Sequence, residues 1–313
     1  AGRAAALSAS AVPALVALLR GQRRSEAQEV AIEVLGRLAS DSAGGLGADR
    51  IRANLVVSGA VPLLVDLLSS PPDSPQHTRS SALAARALAR MAQYPGNCTP
   101  IVSMGTAAPL VALLRSEDEE AQTEAAFASA SVMATNKSRQ IFLAEGLLPA
   151  LVDLLRKRDA PRVRAAAATA LASLAGKDTK DYYHARGDDD AVPYLPVDWR
   201  LYDAVVLGEL AALLREGSPE GRAQAALAML QLAAYEQLHK AIVAAGVLPP
   251  LVRTVAEGNA DARGRAITAL RFLMTSVREE LEASILSSPS DEYGPVDPAG
   301  REALLAKIRF YCS

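Results

Sequence analysis

The sequence predicts an all-α chain of about six repeats of three short helices each, stacked as a right-handed α-solenoid and closed by a C-terminal capping helix. Three observations predict it. A Leu-Val pair within an apolar stretch returns as Leu15-Val16, Leu64-Val65, Leu110-Val111, Leu151-Val152, Leu210-Ala211 and Leu251-Val252, at spacings of about 41 to 59 residues, within or just beyond the range of helical repeats. A glycine corner precedes four of these pairs, as Gly59-Ala-Val-Pro62, Gly105-Thr-Ala-Ala108, Gly146-Leu-Leu-Pro149 and Gly246-Val-Leu-Pro249. An Ala-rich segment follows, seen as ALARMA, ATALASLA and LAMLQLA. Every periodic segment fits 3.6 residues per turn and none alternates over a strand length.

The unit is clearest at 136–176. Ile141 and Leu143 lead to Gly146, a residue that takes the left-handed conformation ending a helix, and Pro149 suits the first turn of the next. A sharp corner between two helices follows. Leu151, Val152, Leu154 and Leu155 give the second helix an apolar stripe, and Val163, Ala167, Ala170, Leu171 and Leu174 give the third another. Three such helices cannot close a core alone, so each unit needs a copy on either side.

In chain order the repeats fall at 8–48, 49–96, 97–135, 136–176, 204–235 and 236–274. The first lacks a clear first helix. Its trailing break, 40–49, contains Gly44-Gly45-Leu46-Gly47; this follows a helix and carries no Lys-Ser/Thr, so it reads as a flexible loop rather than a phosphate cradle. In the second repeat SSPPDSPQ, 69–76, reads as an extended loop whose Ser-Pro pairs fit both proline-directed phosphorylation and plain Pro turns. Asn97-Cys-Thr and Asn136-Lys-Ser match the glycosylation triplet, but both sit where Asn serves turn chemistry. Residues 177–203 form an insertion that gathers Tyr182, Tyr183, Tyr194, Trp199 and Tyr202 in a chain only 4% aromatic. Two readings stand: these side chains contact a partner or cover a groove, or Trp199 and Tyr202 fold back to seal the fourth and fifth repeats. Residues 275–313 supply the cap, as helices near 277–286 and 299–311.

The combination of glycine corner, LVxLL and Ala-rich third helix at one period resembles the armadillo repeat, over nearly the whole chain. The resemblance implies an inner groove lined by third helices and used for extended partner segments. In relatives that hold basic import signals, each third helix presents a Trp and, one turn later, an Asn. Here the Trp column reads Glu33, Arg86, Phe127, Thr169, Leu227 and Thr268, and the Asn column Arg37, Arg90, Ser131, Ser173, Gln231 and Phe272. The ladder is absent, which argues against an import adaptor. Arg37, Arg86 and Arg90 instead set three guanidinium groups across neighbouring helices, suited to carboxylate or phosphate oxygens; solvated surface or pairing with Glu33 is the plainer alternative. The later columns turn neutral and partly apolar.

Composition bounds the rest. A net charge of −2 gives no overall pull toward nucleic acid or anionic membrane, and no apolar run reaches a membrane span. Cys98 and Cys312, with no CxxC or Cys/His cluster, predict neither a zinc site nor a disulfide-stapled secreted module; an intracellular, cytoplasmic setting is the expectation, with nucleus or cilium as variants. His77, His184 and His239 lie in different repeats without partners at ligand spacing, and Asp188-Asp189-Asp190 beside His184 reads as a solvated acidic turn. No catalytic residue, metal or cofactor is expected. The predicted function is a noncatalytic scaffold. It binds another protein through an extended, acidic or phosphorylated segment at the N-terminal end of the groove, with Arg37, Arg86, Arg90, Phe127, Ser131, Ser173 and Gln231 as groove residues. The alternatives are the substrate-recruiting region of a U-box-type ubiquitin ligase and a structural subunit of a large assembly such as a ciliary axoneme.

Overall fold

The computed structural model describes residues 2–21, 26–40, 46–69, 75–176 and 199–275, with 278 and 306. Helices and turns account for these residues, and no strand occurs among them. The predicted cap lies outside the described residues apart from those last two. No described helix is long and apolar enough to cross a membrane by itself.

The chain forms two compact units, Ala1–Leu151 and Val152–Ser313, with the boundary inside one helix. The first unit holds α1 (Gly2–Arg20), α2 (Glu26–Ser40), α3 (Leu46–Val57), α4 (Ala60–Ser69), α5 (Pro75–Met91), α6 (Pro95–Ser103), α7 (Ala107–Leu114), α8 (Glu119–Val132) and α9 (Asn136–Ala144). Helix α10 (Leu147–Leu155) carries the boundary. The second unit holds α11 (Pro161–Ala175), α12 (Ala204–Glu216), α13 (Pro219–Ala233), α14 (His239–Ala244), α15 (Leu248–Glu257) and α16 (Ala260–Met274), with 3-10 turns at Trp199–Leu201 and Glu236–Leu238.

Three boundaries differ from expectation. Helix α1 is continuous through Pro13, because no glycine corner precedes that proline and the Ala-rich residues before it favour helix. Helix α3 begins at Leu46, so Leu46 and Gly47 belong to a helix rather than to the loop. Helix α5 begins at Pro75, where the missing N–H falls on an already unpaired first-turn position, so the Pro-rich loop is shorter than it reads.

The corners follow from glycine. Gly59, Gly105, Gly146 and Gly246 all have φ between 67° and 83°, a region that costs other L-residues about 1–2 kcal/mol. The bend across Gly59 is 69°, across Gly105 88° and across Gly246 90°. Each corner turns a short first helix into a second one, and α4 packs against α5, α7 against α8 and α15 against α16.

Within the first unit α2, α5 and α8 lie side by side; within the second, α11, α13 and α16 do. Small residues make this close packing feasible: Ala84, Ala85, Ala87, Ala125, Ala126 and Ala128 are buried in the first unit, Ala165–Ala168 and Ala225, Ala226 and Ala228 in the second. Larger side chains such as Leu35, Leu64, Leu88 and Leu110, or Leu171, Leu210 and Leu251, fill the layer between second and third helices. Burying each stabilises the fold by roughly 1.5–3 kcal/mol.

Two recurring side-chain devices satisfy helix ends that stacking would leave unpaired. At the start of the third helix a side chain donates to a carbonyl ending the second: Gln28 to Leu19, Ser81 to Leu67, Gln122 to Ser116 and Arg164 to Leu155. At the end of the third helix the carbonyl of Ala39, Ala92, Met133, Ala175 or Ala233 receives Arg52, Cys98, Arg139, Tyr235 or His239 respectively. His239 is thereby a structural side chain, in the position that Arg139 holds in another repeat.

Candidate functional site

The third helices present one partly exposed face in each unit, and the residues read from sequence as a groove fall on it. In the first unit the face comprises Glu33 and Arg37 on α2, Arg86 and Arg90 on α5, and Phe127 and Ser131 on α8. In the second it comprises Thr169 and Ser173 on α11, Leu227 and Gln231 on α13, and Thr268 and Phe272 on α16. Helical periodicity puts them there: the intervening alanines and leucines are buried.

The three arginines differ in what they touch. Arg86 is engaged. Its Nη2 donates to Glu120 at 2.8 Å and to Glu124 at 2.9 Å, so one guanidinium clamps α5 to α8. Hydrogen bonding to Glu124 chiefly raises its pKa above the usual arginine value, and attraction to both carboxylates adds to this against an opposing cost of burial. The plainer alternative, pairing within the protein, thus holds for Nη2 of Arg86, with Glu120 and Glu124 rather than Glu33 as its partners. Arg37 holds Glu33 at 2.6 Å along its own helix. Arg90 has no acceptor among the described residues. Its side chain leaves α5 and reaches α2, where Nη1 would stand 3.2 Å from a Cβ placed on Gly36.

Two further contacts tie α2 to α5. Glu29, with only 13% of its side chain exposed, accepts from Ser80 at 3.3 Å and pairs with Arg79 at 3.6 Å. Acidic and basic side chains thus alternate between neighbouring third helices. Glu29, Gly36, Glu120 and Glu124 are site residues that sequence reasoning missed. The pairing partners stand 34 and 38 residues from Arg86, a distance no local rule covers.

Phe127 is half-buried, and Ser131 returns its hydroxyl to the carbonyl of Phe127 at 2.9 Å. In the second unit Ser173 and Gln231 are half-buried, and the amide carbon of Gln231 lies 3.8 Å from the Cβ position of Gly176. Thr169 and Thr268 bond back to their own helices at Ala165 and Gly264. This face carries hydroxyls, an amide and two partly exposed apolar side chains, and no charge in the two columns.

Of the insertion residues, Tyr182, Tyr183 and Tyr194 lie outside the described residues. Trp199 opens the 3-10 turn Trp199–Leu201. Tyr202 is 3% exposed, which corrects the reading of it as an exposed contact residue. Among the described residues no group of three or more His, Cys, Asp or Glu side chains could hold a metal ion.

No family model matches the chain, and no curated protein matches its sequence. Solved structures do. An engineered protein is similar at a TM-score of 0.70 and 26% identity, covering 85% of this chain and 99% of its own. A designed armadillo repeat protein is similar at 0.67 and 25%, covering 84% and 99%. A second designed armadillo repeat protein, solved in complex with the peptide (KR)4, is similar at 0.65 and 25%, covering 84% and 99%. The helix-corner-helix units described above are the armadillo-type repeat.

Proposed function

From an armadillo-type repeat fold with open third-helix faces, we propose that the protein is a noncatalytic scaffold that binds an extended segment of another protein along those faces. The reading includes an acidic segment on the first unit and an intracellular setting. The observation that carries it is the composition of the face. A similar designed protein was solved with a basic peptide, whereas this chain sets Arg37 and Arg90 in the columns where basic-peptide binders of this fold place Asn, and has no Trp in the other. Arginine forks match carboxylate and phosphate oxygens and repel a Lys-Arg segment. A buried free thiol, Cys98, fits a reducing compartment.

The test compares two labelled octapeptides of opposite sign, (KR)4 and (ES)4, by fluorescence anisotropy at low and high salt. The expected result is tighter binding of (ES)4, weakening as salt rises. Tighter binding of (KR)4, or binding of neither, overturns the reading.

A further inference from the structure

We infer that Arg37 and Arg90 form a two-guanidinium clamp for a phosphorylated side chain on the bound segment, with Glu33 acting as an internal competitor against plain carboxylates. The inference rests on the partner-binding reading of the first unit's third-helix face and narrows it to one chemistry.

The clamp follows from the inequality of the arginines. Arg86 is held through Nη2 by Glu120 and Glu124. Arg90 crosses from α5 to α2 and lies over Gly36, where an added Cβ would stand 3.2 Å from its Nη1 and 3.6 Å from Ala87. Arg37 is the next residue after Gly36. Both arginines belong to the last turns of neighbouring packed helices. A mid-helix glycine costs stability relative to alanine, and here its missing Cβ gives the Arg90 guanidinium its seat.

Glu33 decides the ligand. It accepts from Arg37 at 2.6 Å, with 73% of the arginine side chain and 46% of the glutamate exposed. Such a pair exchanges readily, because water and salt compete for both ends. A partner carboxylate would replace Glu33 with a group of the same charge, gaining little at Arg37. A phosphoryl group carries between one and two negative charges near neutral pH and three acceptor oxygens, so it can take Arg37 from Glu33 while accepting from Arg90. Discrimination then comes from the resident carboxylate as well as from the two donors.

The experiment uses the full chain and three labelled pools of extended peptides, with neutral random flanks and a fixed central phosphoserine, glutamate or serine. Wild type should hold the phosphoserine pool at least about tenfold tighter than the glutamate pool, the order expected of one additional charge-assisted fork. Arg90→Met should abolish the preference. Gly36→Ala, which removes no charge but forces the Arg90 guanidinium to give way by a few tenths of an ångström, should weaken phosphopeptide binding, and Glu33→Gln should improve the glutamate pool more than the phosphoserine pool. Each variant is compared at matched helicity and melting temperature; should Arg90→Met unfold, Arg90→Lys keeps the charge and loses the fork. Equal binding of phosphoserine and glutamate pools, or an unchanged preference in the folded Arg90 and Gly36 variants, overturns the clamp and leaves the acidic-segment reading standing. Failure of both anionic pools to exceed the serine pool overturns both.

Discussion

Tyr235 donates its hydroxyl to the carbonyl of Ala175 at 2.9 Å across 60 residues of chain. In the other repeats the corresponding carbonyl is met from nearer by: Arg52 reaches Ala39 across 13 residues, and Cys98 reaches Ala92, Arg139 reaches Met133 and His239 reaches Ala233, each across six. Those donors come from the first helix of the next repeat. The repeat that follows α11 has no such helix among the described residues, only the turn Trp199–Leu201, and Tyr235 performs its capping role from the far end of that repeat, just before the turn Glu236–Leu238. Removing the hydroxyl strands a buried carbonyl. Tyr235→Phe should cost about 1–3 kcal/mol in urea denaturation, and a loss below about 0.5 kcal/mol would mean that another donor takes over.

The corners set a second expectation. Gly146 has φ +82°, and a Cβ there would stand 2.9 Å from Nη2 of Arg115, which donates to the Gly146 carbonyl at 3.3 Å. Gly246 has φ +67° with nothing within 4 Å. Alanine at either site pays the left-handed penalty of about 1–2 kcal/mol, and at Gly146 it also displaces Arg115. Melting curves of the two variants should place Gly146→Ala below Gly246→Ala. The reverse order would remove Arg115 from the corner's energetics.

Cys98 is 1% exposed, and its thiol lies 3.4 Å from the Ala92 carbonyl and 3.5 Å from that of Ser131. Burial pushes its pKa above the ordinary thiol value of 9.0. The native state therefore holds the proton more tightly than the unfolded state. The associated stability is complete below that ordinary value and is lost as pH climbs through it toward the folded value. In a Cys312→Ser background, thiol labelling near pH 8 should be slow in buffer and fast in denaturant. Between pH 8 and 10 the protein should lose stability that a Cys98→Ala variant does not lose. Rapid labelling of the native protein would contradict the burial.

Much of this fold is legible because each repeat states itself locally. Glycine at 59, 105, 146 and 246 marks a corner that needs positive φ, and Pro149 or Pro249 marks the helix beyond it. The apolar stripe of α10 predicts a buried Leu151, which is fully buried; Leu151→Ala should cost about 2–5 kcal/mol by chemical denaturation. The fused α1 escapes such reading because its repeat has no glycine to break it, and Pro75 reads equally as loop or as helix start. The site was legible only in part. Periodicity puts Arg37, Arg86 and Arg90 on one face, and the four-residue spacing of Glu33 and Arg37 announces their pair. Glu120 and Glu124 reach Arg86 through the stacking of α5 on α8, and the seat of Arg90 on Gly36 exists only where α2 meets α5; both depend on which helices become neighbours.

Arg86 and Arg90 should therefore separate under mutation although they are one turn apart. Glu124 has 12% of its side chain exposed and Arg86 31%, so removing the arginine charge leaves a nearly buried carboxylate without its partner. Arg86→Met, which keeps an apolar stem in place, should destabilise the protein by about 1–2 kcal/mol, between the values for exposed and buried pairs. Arg86→Glu should cost more, since three carboxylates would then share one site. Adding Glu124→Gln to Arg86→Met should restore part of the loss, giving a coupling of at least about 0.5 kcal/mol in a double-mutant cycle. Through all of this the ratio of phosphoserine to glutamate peptide binding should hold, because Glu120 and Glu124 hold Arg86 through Nη2 and already balance its charge within the protein. An Arg86→Met variant of undiminished stability that lost the phosphopeptide preference would assign the anion to Arg86 and reverse the division of labour between the two arginines.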